Sequence, residues 1–288
     1  MKLIVESDLG HDPDDFFAIC YLHAAGVDIK TILISPGDPD QIAIAKLLCK
    51  ELGLDIPIGA SKLDREKNSS GSIHHDLLNK YNYPMQQKAD GLGVDILKDI
   101  VKNDPDCELF IMGPVSSLGE FLIRNPNIEF SRATMQGGYL PYHLHTPMNP
   151  EPKFFGKASM PTFNMNGDRE GAVAFLNAKI KQRQIVGKNI CHTVLFNQDR
   201  VNEIRNTSTR GARLFEEAAI MYFQKHDFKK FHDPTAACCH LHPEIGTWFK
   251  GKTIKDKGNW TTVPDESGDD ILADIDYDML WTNILSFK

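Results

Sequence analysis

Three absences narrow what this chain can be. No apolar stretch approaches the about 18 residues needed to cross a bilayer as a helix, so no membrane partner is expected. No long basic run occurs and the net charge is -7, so binding to nucleic acid through its phosphates is not expected either. An acidic chain instead attracts cations. No CxxC pair is present among the six cysteines, at positions 20, 49, 107, 191, 238 and 239. Most of these lie in apolar segments, where Cys acts as a small core residue, and a reduced, cytoplasmic protein is expected. Cys238-Cys239-His240-Leu241-His242 offers zinc-type ligands, but its spacing is not that of a zinc finger and the segment reads as a buried helix. Met1-Lys2-Leu3 leads into a strand and not into a signal peptide. Neither an internal repeat nor a clear linker is visible, so residues 1–288 are expected to form one domain.

What the chain does have is an acidic cluster, Asp8-Leu9-Gly10-His11-Asp12-Pro13-Asp14-Asp15. It follows the apolar run Leu3-Ile4-Val5 and precedes Phe16-Phe17-Ala18-Ile19-Cys20, the pattern of strand, tight turn and helix. Aspartates are favoured at helix starts, which accounts for one or two of them but not for four beside a glycine. Carboxylates converging at the C-terminal end of a strand repel one another unless a cation joins them, and a hard divalent ion with oxygen ligands suits that role.

Strands and helices alternate through much of the chain. Strands are expected at 28–35, 56–58, 108–112, 131–135 and 185–186, and helices at 41–52, 93–102, 115–123, 169–178, 198–206 and 209–225. Residues 61–90 read as a long polar loop, 139–161 as an irregular proline-rich segment, and the C-terminal part as less regular. The alternation predicts an α/β fold with an open, mostly parallel sheet and helices on both faces.

Four loops in that frame carry unusual chemistry. They are the Asp8–Asp15 turn, Met112-Gly113-Pro114-Val115-Ser116-Ser117, Met135-Gln136-Gly137-Gly138 with Thr162-Phe163-Asn164 downstream, and Phe231-His232-Asp233-Pro234-Thr235-Ala236. Each alone has an ordinary explanation as a turn or a helix cap. In this order, from about residue 2 to 240, they resemble the inosine-uridine preferring nucleoside hydrolase family. That family opens with Asp-x-Asp-x-Gly and an Asp-Asp-Ala helix start; the spacing here matches a variant with two extra residues. Gly-Pro-Leu-Thr-Asn, Met-Gly-Gly, Glu-Phe-Asn and His-Asp-Pro follow in the family.

The resemblance implies a Rossmann-like nucleoside hydrolase fold, a bound Ca2+, a small-molecule nucleoside substrate and a homodimer or homotetramer. It implies that Asp8 is the general base and touches the metal, that Asp15 and Asp233 ligate it, and that the Ser116 carbonyl does so too. It places Asp14, Asp38 and Asn164 on the ribose hydroxyls, Gln136 and Thr162 at the substrate, and His232 as proton donor to the departing base. Such a set suits cleavage of an N-glycosidic bond through an oxocarbenium-like transition state.

The chain departs from the family pattern at Glu6 (Asp in the family), Asp38 (Asn), Gln136 (Met) and Thr162 (Glu). The Glu at the last position helps hold the sugar's 5′-hydroxyl in the family. Its loss, with Lys157 upstream, raises a 5′-substituted or phosphorylated substrate as an expectation; another side chain replacing the Glu is the plainer one. His74, His75, Tyr139, Tyr142, His143, His145, Tyr222 and Phe223 are candidates for a base pocket. Two other readings compete: a homologue that binds without hydrolysis, and a phosphatase of the haloacid dehalogenase type. The latter needs a second Asp two residues after the first, where Asp8 has Leu9-Gly10.

Overall fold

The structure, a computed structural model, describes residues 1–10, 12–204 and 207–287. His11 of the acidic turn, and residues 205 and 206 at the end of one expected helix, lie outside the described residues. The strands are β1 (Lys2–Ser7), β2 (Asp28–Ile34), β3 (Ile58–Ala60), β4 (Gly91–Leu92), β5 (Glu108–Ile111), β6 (Glu129–Gln136), β7 (Lys179–Val186), β8 (Leu195–Asn197), β9 (Phe228–Lys230), β10 (Gly246–Asp256), β11 (Asn259–Pro264) and β12 (Asp269–Ile275). The helices are α1 (Asp14–Ala24), α2 (Pro39–Leu52), α3 (His74–Lys80), α4 (Gly93–Asn103), α5 (Ser117–Arg124), α6 (Phe163–Gly167), α7 (Arg169–Asn177), α8 (Lys188–Cys191), α9 (Gln198–Asn202), α10 (Arg210–Phe223), α11 (His232–Leu241) and α12 (Tyr277–Ser286).

One ten-stranded sheet runs β11-β10-β12-β7-β6-β5-β1-β2-β3-β4. Its centre is parallel, and β10 alone runs against its neighbours. β1 pairs with both β2 and β5, so the chain builds outward from β1 to one side and then returns to build the other. That reversal opens a crevice beyond the carboxyl ends of β1 and β5, where open α/β sheets bind ligands. The expected α/β class and largely parallel sheet are therefore present.

Three expectations need correction. The 61–90 segment contains a helix, α3, because Ile73, Leu77 and Leu78 supply an apolar face that is fully covered. The strand placed at 185–186 begins at Lys179; its first half carries exposed Lys and Gln residues that hide the period of a buried strand. The C-terminal part is regular: β10 and β12 pair antiparallel, and β12 joins β7 in parallel. Its strands are half-exposed and not followed by helices until α12, so the βα rhythm used to find the others stops there.

The core packs α1 against α10 and α11. Phe17 of α1 lies against Phe196, Phe215 and Phe231, with Phe196 stacked on Phe231 at 4.5 Å between ring centroids. Each such aromatic buries a large apolar area, and together they fix α1 so that its N-terminus points into the crevice. At the other wall, β5 leads through Met112 into Gly113. A Cβ there would stand 2.5 Å from the backbone nitrogen of Asp8, closer than any real contact. Gly113→Ala is expected to destabilise the protein by about 1–3 kcal/mol, the usual range for forced overpacking. Denaturant unfolding checks this, and an unchanged midpoint would show that the two turns are not in such contact.

Candidate active site

The crevice holds a cavity of about 340 Å³. Its walls are Asp8, Asp12, Asp14, Asp15, Met112, Gln136, Thr162, Phe163, Asn164, Lys188, His192, His232 and Asp233. Residues as far as 218 apart in sequence, such as Asp14 and His232, meet because each follows a strand end or opens a helix. Asp14 and Asp15 lie in the first turn of α1, and Asp233 lies in the first turn of α11. Two helix N-termini thus aim their positive ends at one group of carboxylates.

The oxygens of Asp14, Asp15 and Asp233 lie within 4.8 Å of one another, and all three residues are buried. Asp15 accepts the Ser7 hydroxyl at 2.5 Å and the Asp8 N–H at 3.2 Å. Asp14 has the Lys229 ammonium at 3.4 Å and His232 Nδ1 at 3.2 Å. Lys229 is itself buried and also binds Asp12 at 2.6 Å.

The electrostatics follow. Burial pushes the Asp15 and Asp233 carboxyls well up, and the neighbouring aspartates push them further. Asp8 is raised to about 8, by desolvation first and Asp14 second. Burial raises Asp12 as well, again reinforced by Asp14. Burial would also raise Asp14, but Lys229 and His232 outweigh it and bring it down to about 2. Asp12 and Asp14 therefore share the Lys229 cation, while Asp15 and Asp233 form no ion pair among the described residues. The donor set fits a divalent cation: several buried carboxylate oxygens converge, with more negative charge than Lys229 and the helix ends offset.

Gln136 and Asn164 form one unit. The Asn164 amide donates to the Gln136 carbonyl at 3.0 Å and to its side-chain oxygen at 2.9 Å. Thr162 lines the cavity, and its buried hydroxyl has no hydrogen-bond partner.

Two named residues lie elsewhere. Asp38 is at the N-cap of α2, and its carboxylate holds Arg65 at 2.6 Å. Burial works to raise it, but Arg65 leaves it below the ordinary range. It is not on the cavity wall. Ser116 borders a separate cavity of about 570 Å³, and its carbonyl accepts the Glu120 N–H at 3.1 Å. Glu6 is not on the wall either. It accepts the N–H groups of Ser117 at 2.7 Å and Leu118 at 3.1 Å, capping α5 and fixing the Ser116 turn to β1. Despite those donors, burial raises it to about 8.

None of the proposed base-pocket aromatics is on the wall. His74 is buried on the Gly71 carbonyl, and Tyr139 and Tyr142 pack around Phe154. The wall includes Phe163, Lys188 and His192, which the sequence reading did not select. Phe163 lies inside the Thr-Phe-Asn segment and could have been named. Lys188 and His192 sit beside β7 with no motif to mark them.

The carboxylates thus meet where the strand order of an open α/β sheet reverses, the usual place for a ligand in such folds. The chain belongs to the inosine-uridine preferring nucleoside hydrolase family, whose model matches residues 3–282. It is thus an N-glycosyl hydrolase by family. A plant nucleoside hydrolase structure, PpNRh1, superposes with a TM-score of 0.74 at 19% identity, covering 99% of this chain and 97% of that one. A purine-preferring ribonucleoside hydrolase from Gardnerella vaginalis superposes at 0.73 with 17% identity, covering 100% and 98%. An uncharacterized protein of Aquifex aeolicus (strain VF5) is 22% identical over 268 residues, 89% of each chain. The structural likenesses establish the shared fold.

The raised carboxyls link metal to stability. Each holds its proton more tightly folded than unfolded. Their contribution to the stability of the metal-free fold is therefore fully present only below the unfolded carboxyl pKa of about 4. The fold loses stability as pH climbs through about 8, where Asp8 ionises. Thermal melts in EDTA should fall between pH 5 and pH 9, and Ca2+ should restore most of the loss. Asp15→Asn or Asp233→Asn should shrink the Ca2+-dependent rise in Tm. A rise of equal size in both variants and the parent would mean that the ion binds elsewhere.

Proposed function

We propose that the protein hydrolyses the N-glycosidic bond of a ribonucleoside or related N-riboside with the help of Ca2+. The observation that carries this is the convergence of Asp8, Asp14, Asp15, Asp233 and Asn164 on one cavity with His232 at its edge. Asp15 and Asp233 would hold the ion, because no protein cation bonds either among the described residues, with Asp8 and Asp14 close by. The Ser116 carbonyl is a candidate ligand by the family resemblance alone, since it borders the other cavity and accepts the Glu120 N–H. When bound, Ca2+ supplies Lewis acidity toward a water and the sugar hydroxyls, and its many oxygen ligands suit a flexible site.

The side chains divide the remaining work. Asp8, with a carboxyl raised toward neutrality, takes the proton of the attacking water. Asp14 is ionised and accepts from a ribose hydroxyl, and Asn164, held by Gln136, orients another. The carboxylates stabilise the positive charge that develops on the sugar more than they stabilise the neutral substrate. Asp14 accepts from His232 Nδ1, which orients the ring and leaves Nε2 for the departing base.

We read residues 1–288 as one domain, because a continuous sheet reaches from β4 to β11. We also read the chain as a cytoplasmic homodimer or homotetramer; six free, buried cysteines support the reducing compartment. No helix among the described residues is long and apolar enough to cross a membrane.

A panel of purine and pyrimidine ribonucleosides, assayed for free sugar with Ca2+ or EDTA, tests the reaction. Asp8→Ala is expected to lower kcat by about 10²–10⁴, the range for loss of a positioned base. His232→Ala should cost more with poor leaving bases than with activated ones. Sugar release that survives in Asp8→Ala at the parental rate would remove Asp8 from the role of base.

A further inference from the structure

The cavity is acidic at its floor and basic at one rim. Lys188 and His192 are on its wall. Lys153 and Lys230 reach the same atom, His192 Nδ1, at 2.5 Å and 3.1 Å. Lys188 donates to the neutral Pro161 carbonyl at 2.7 Å, one residue from Thr162. Among the described residues, the one carboxylate paired with these ammonium groups is Glu151, 3.8 Å from Lys153. Lysines from three separate segments thus crowd together around a neutral imidazole. The crowding has a measurable consequence: burial and Lys230 together bring Lys153 down to about 8 and also lower Lys188. Such a cluster is costly without an anion to join it. Thr162 adds an unpartnered hydroxyl on the same wall.

We propose that Lys188, Lys153, Lys230 and Thr162 form an anion subsite that takes the phosphate of a phosphorylated riboside, so that the preferred substrate is a nucleoside 5′-monophosphate. The inference rests on the hydrolase reading above for the placement of the sugar. With the 2′- and 3′-hydroxyls on the carboxylate floor and the base leaving from C1′, the phosphate can be carried on C5′ without meeting the aspartates. Phosphate matches several point cations and a hydroxyl donor at once. Lys157, the lysine singled out from sequence, is exposed and is not on the wall. No bond beyond the glycosidic one is broken; the subsite only binds and orients.

The test compares sugar release from a nucleoside and from its 5′-monophosphate, in the parent, Lys188→Ala, Lys188→Arg and Lys153→Ala. The parent should favour the monophosphate in kcat/KM by about tenfold or more, as expected of charge-assisted contacts. Each Ala variant should lose at least about tenfold more on the monophosphate than on the nucleoside, with Lys188→Arg recovering part of it. Equal losses on both substrates, or a parental preference for the free nucleoside, would overturn the proposal. A preference confined to a nucleoside with a carboxylated base would overturn the C5′ assignment. Calorimetric binding of ribose 5-phosphate against ribose, in Ca2+, separates this from the reaction itself. Tighter, Lys188-dependent binding of ribose 5-phosphate by a protein that releases no sugar would sink the hydrolase reading and keep the subsite; equal binding would sink the subsite.

Discussion

Carboxylates of like charge are held together in a desolvated crevice, and the rest of the architecture serves to keep them there. Asp14, Asp15 and Asp233 lie close enough for their oxygens to share one ion. Left to themselves they would spread apart or take up protons. They cannot spread, because α1 is buried along its length and its Phe17 is clamped among Phe196, Phe215 and Phe231. Partial compensation comes from the N-termini of α1 and α11 and from buried Lys229. The compensation is uneven. Lys229 offsets the charge of Asp14, and His232 hydrogen-bonds it, while Asp15 receives hydroxyl and amide donors and no cation among the described residues. The stability of the core is thus set against electrostatic strain in the site, a strain that a divalent cation would relieve.

How much of this could be read from the residues depends on whether a feature is local. The Asp8–Asp15 turn announces itself because strand, turn and helix are contiguous. The βα rhythm gave the parallel centre of the sheet for the same reason. Lys229 is as central to the site as any aspartate, yet it lies on a short strand of ordinary composition, and only the third dimension puts it against Asp12 and Asp14. Lys188 and His192 are hidden in the same way. Asp38 shows the reverse problem: a carboxylate after Gly37 looks available for a sugar, but its helix-capping position and Arg65 draw it off the wall. The C-terminal strands escaped because they are half-exposed and antiparallel, so neither a continuous apolar run nor a following helix marks them.

Glu6 shows how a departure from the family pattern can be absorbed. Its carboxylate reaches two backbone N–H groups at the start of α5 and the Ser35 hydroxyl. It ties β1, β2 and the β5–α5 turn together behind the Asp8–Asp15 turn, without taking a place on the cavity wall. The substitution therefore alters the support of the site and leaves its lining intact. That argues against reading Glu6 as a sign of lost chemistry.

Thr162 is different, because it is on the wall. A carboxylate at that place would lie near Lys188, which binds the adjacent Pro161 carbonyl, and would supply the counter-charge the lysines lack. With threonine there, the negative charge must come from elsewhere or the lysines must repel one another. Gln136 fits the same logic: its amide oxygen engages Asn164 while its nitrogen approaches Cys191, so a neutral polar bridge separates the acidic floor from the basic rim. A cavity with its two charges kept apart in this way discriminates by orientation. A ligand carrying a diol at one end and an anion at the other gains from both halves only when its anomeric carbon lies between them, beside Asp8 and His232. Specificity for the anion and positioning for cleavage would then be one property of the same charge separation.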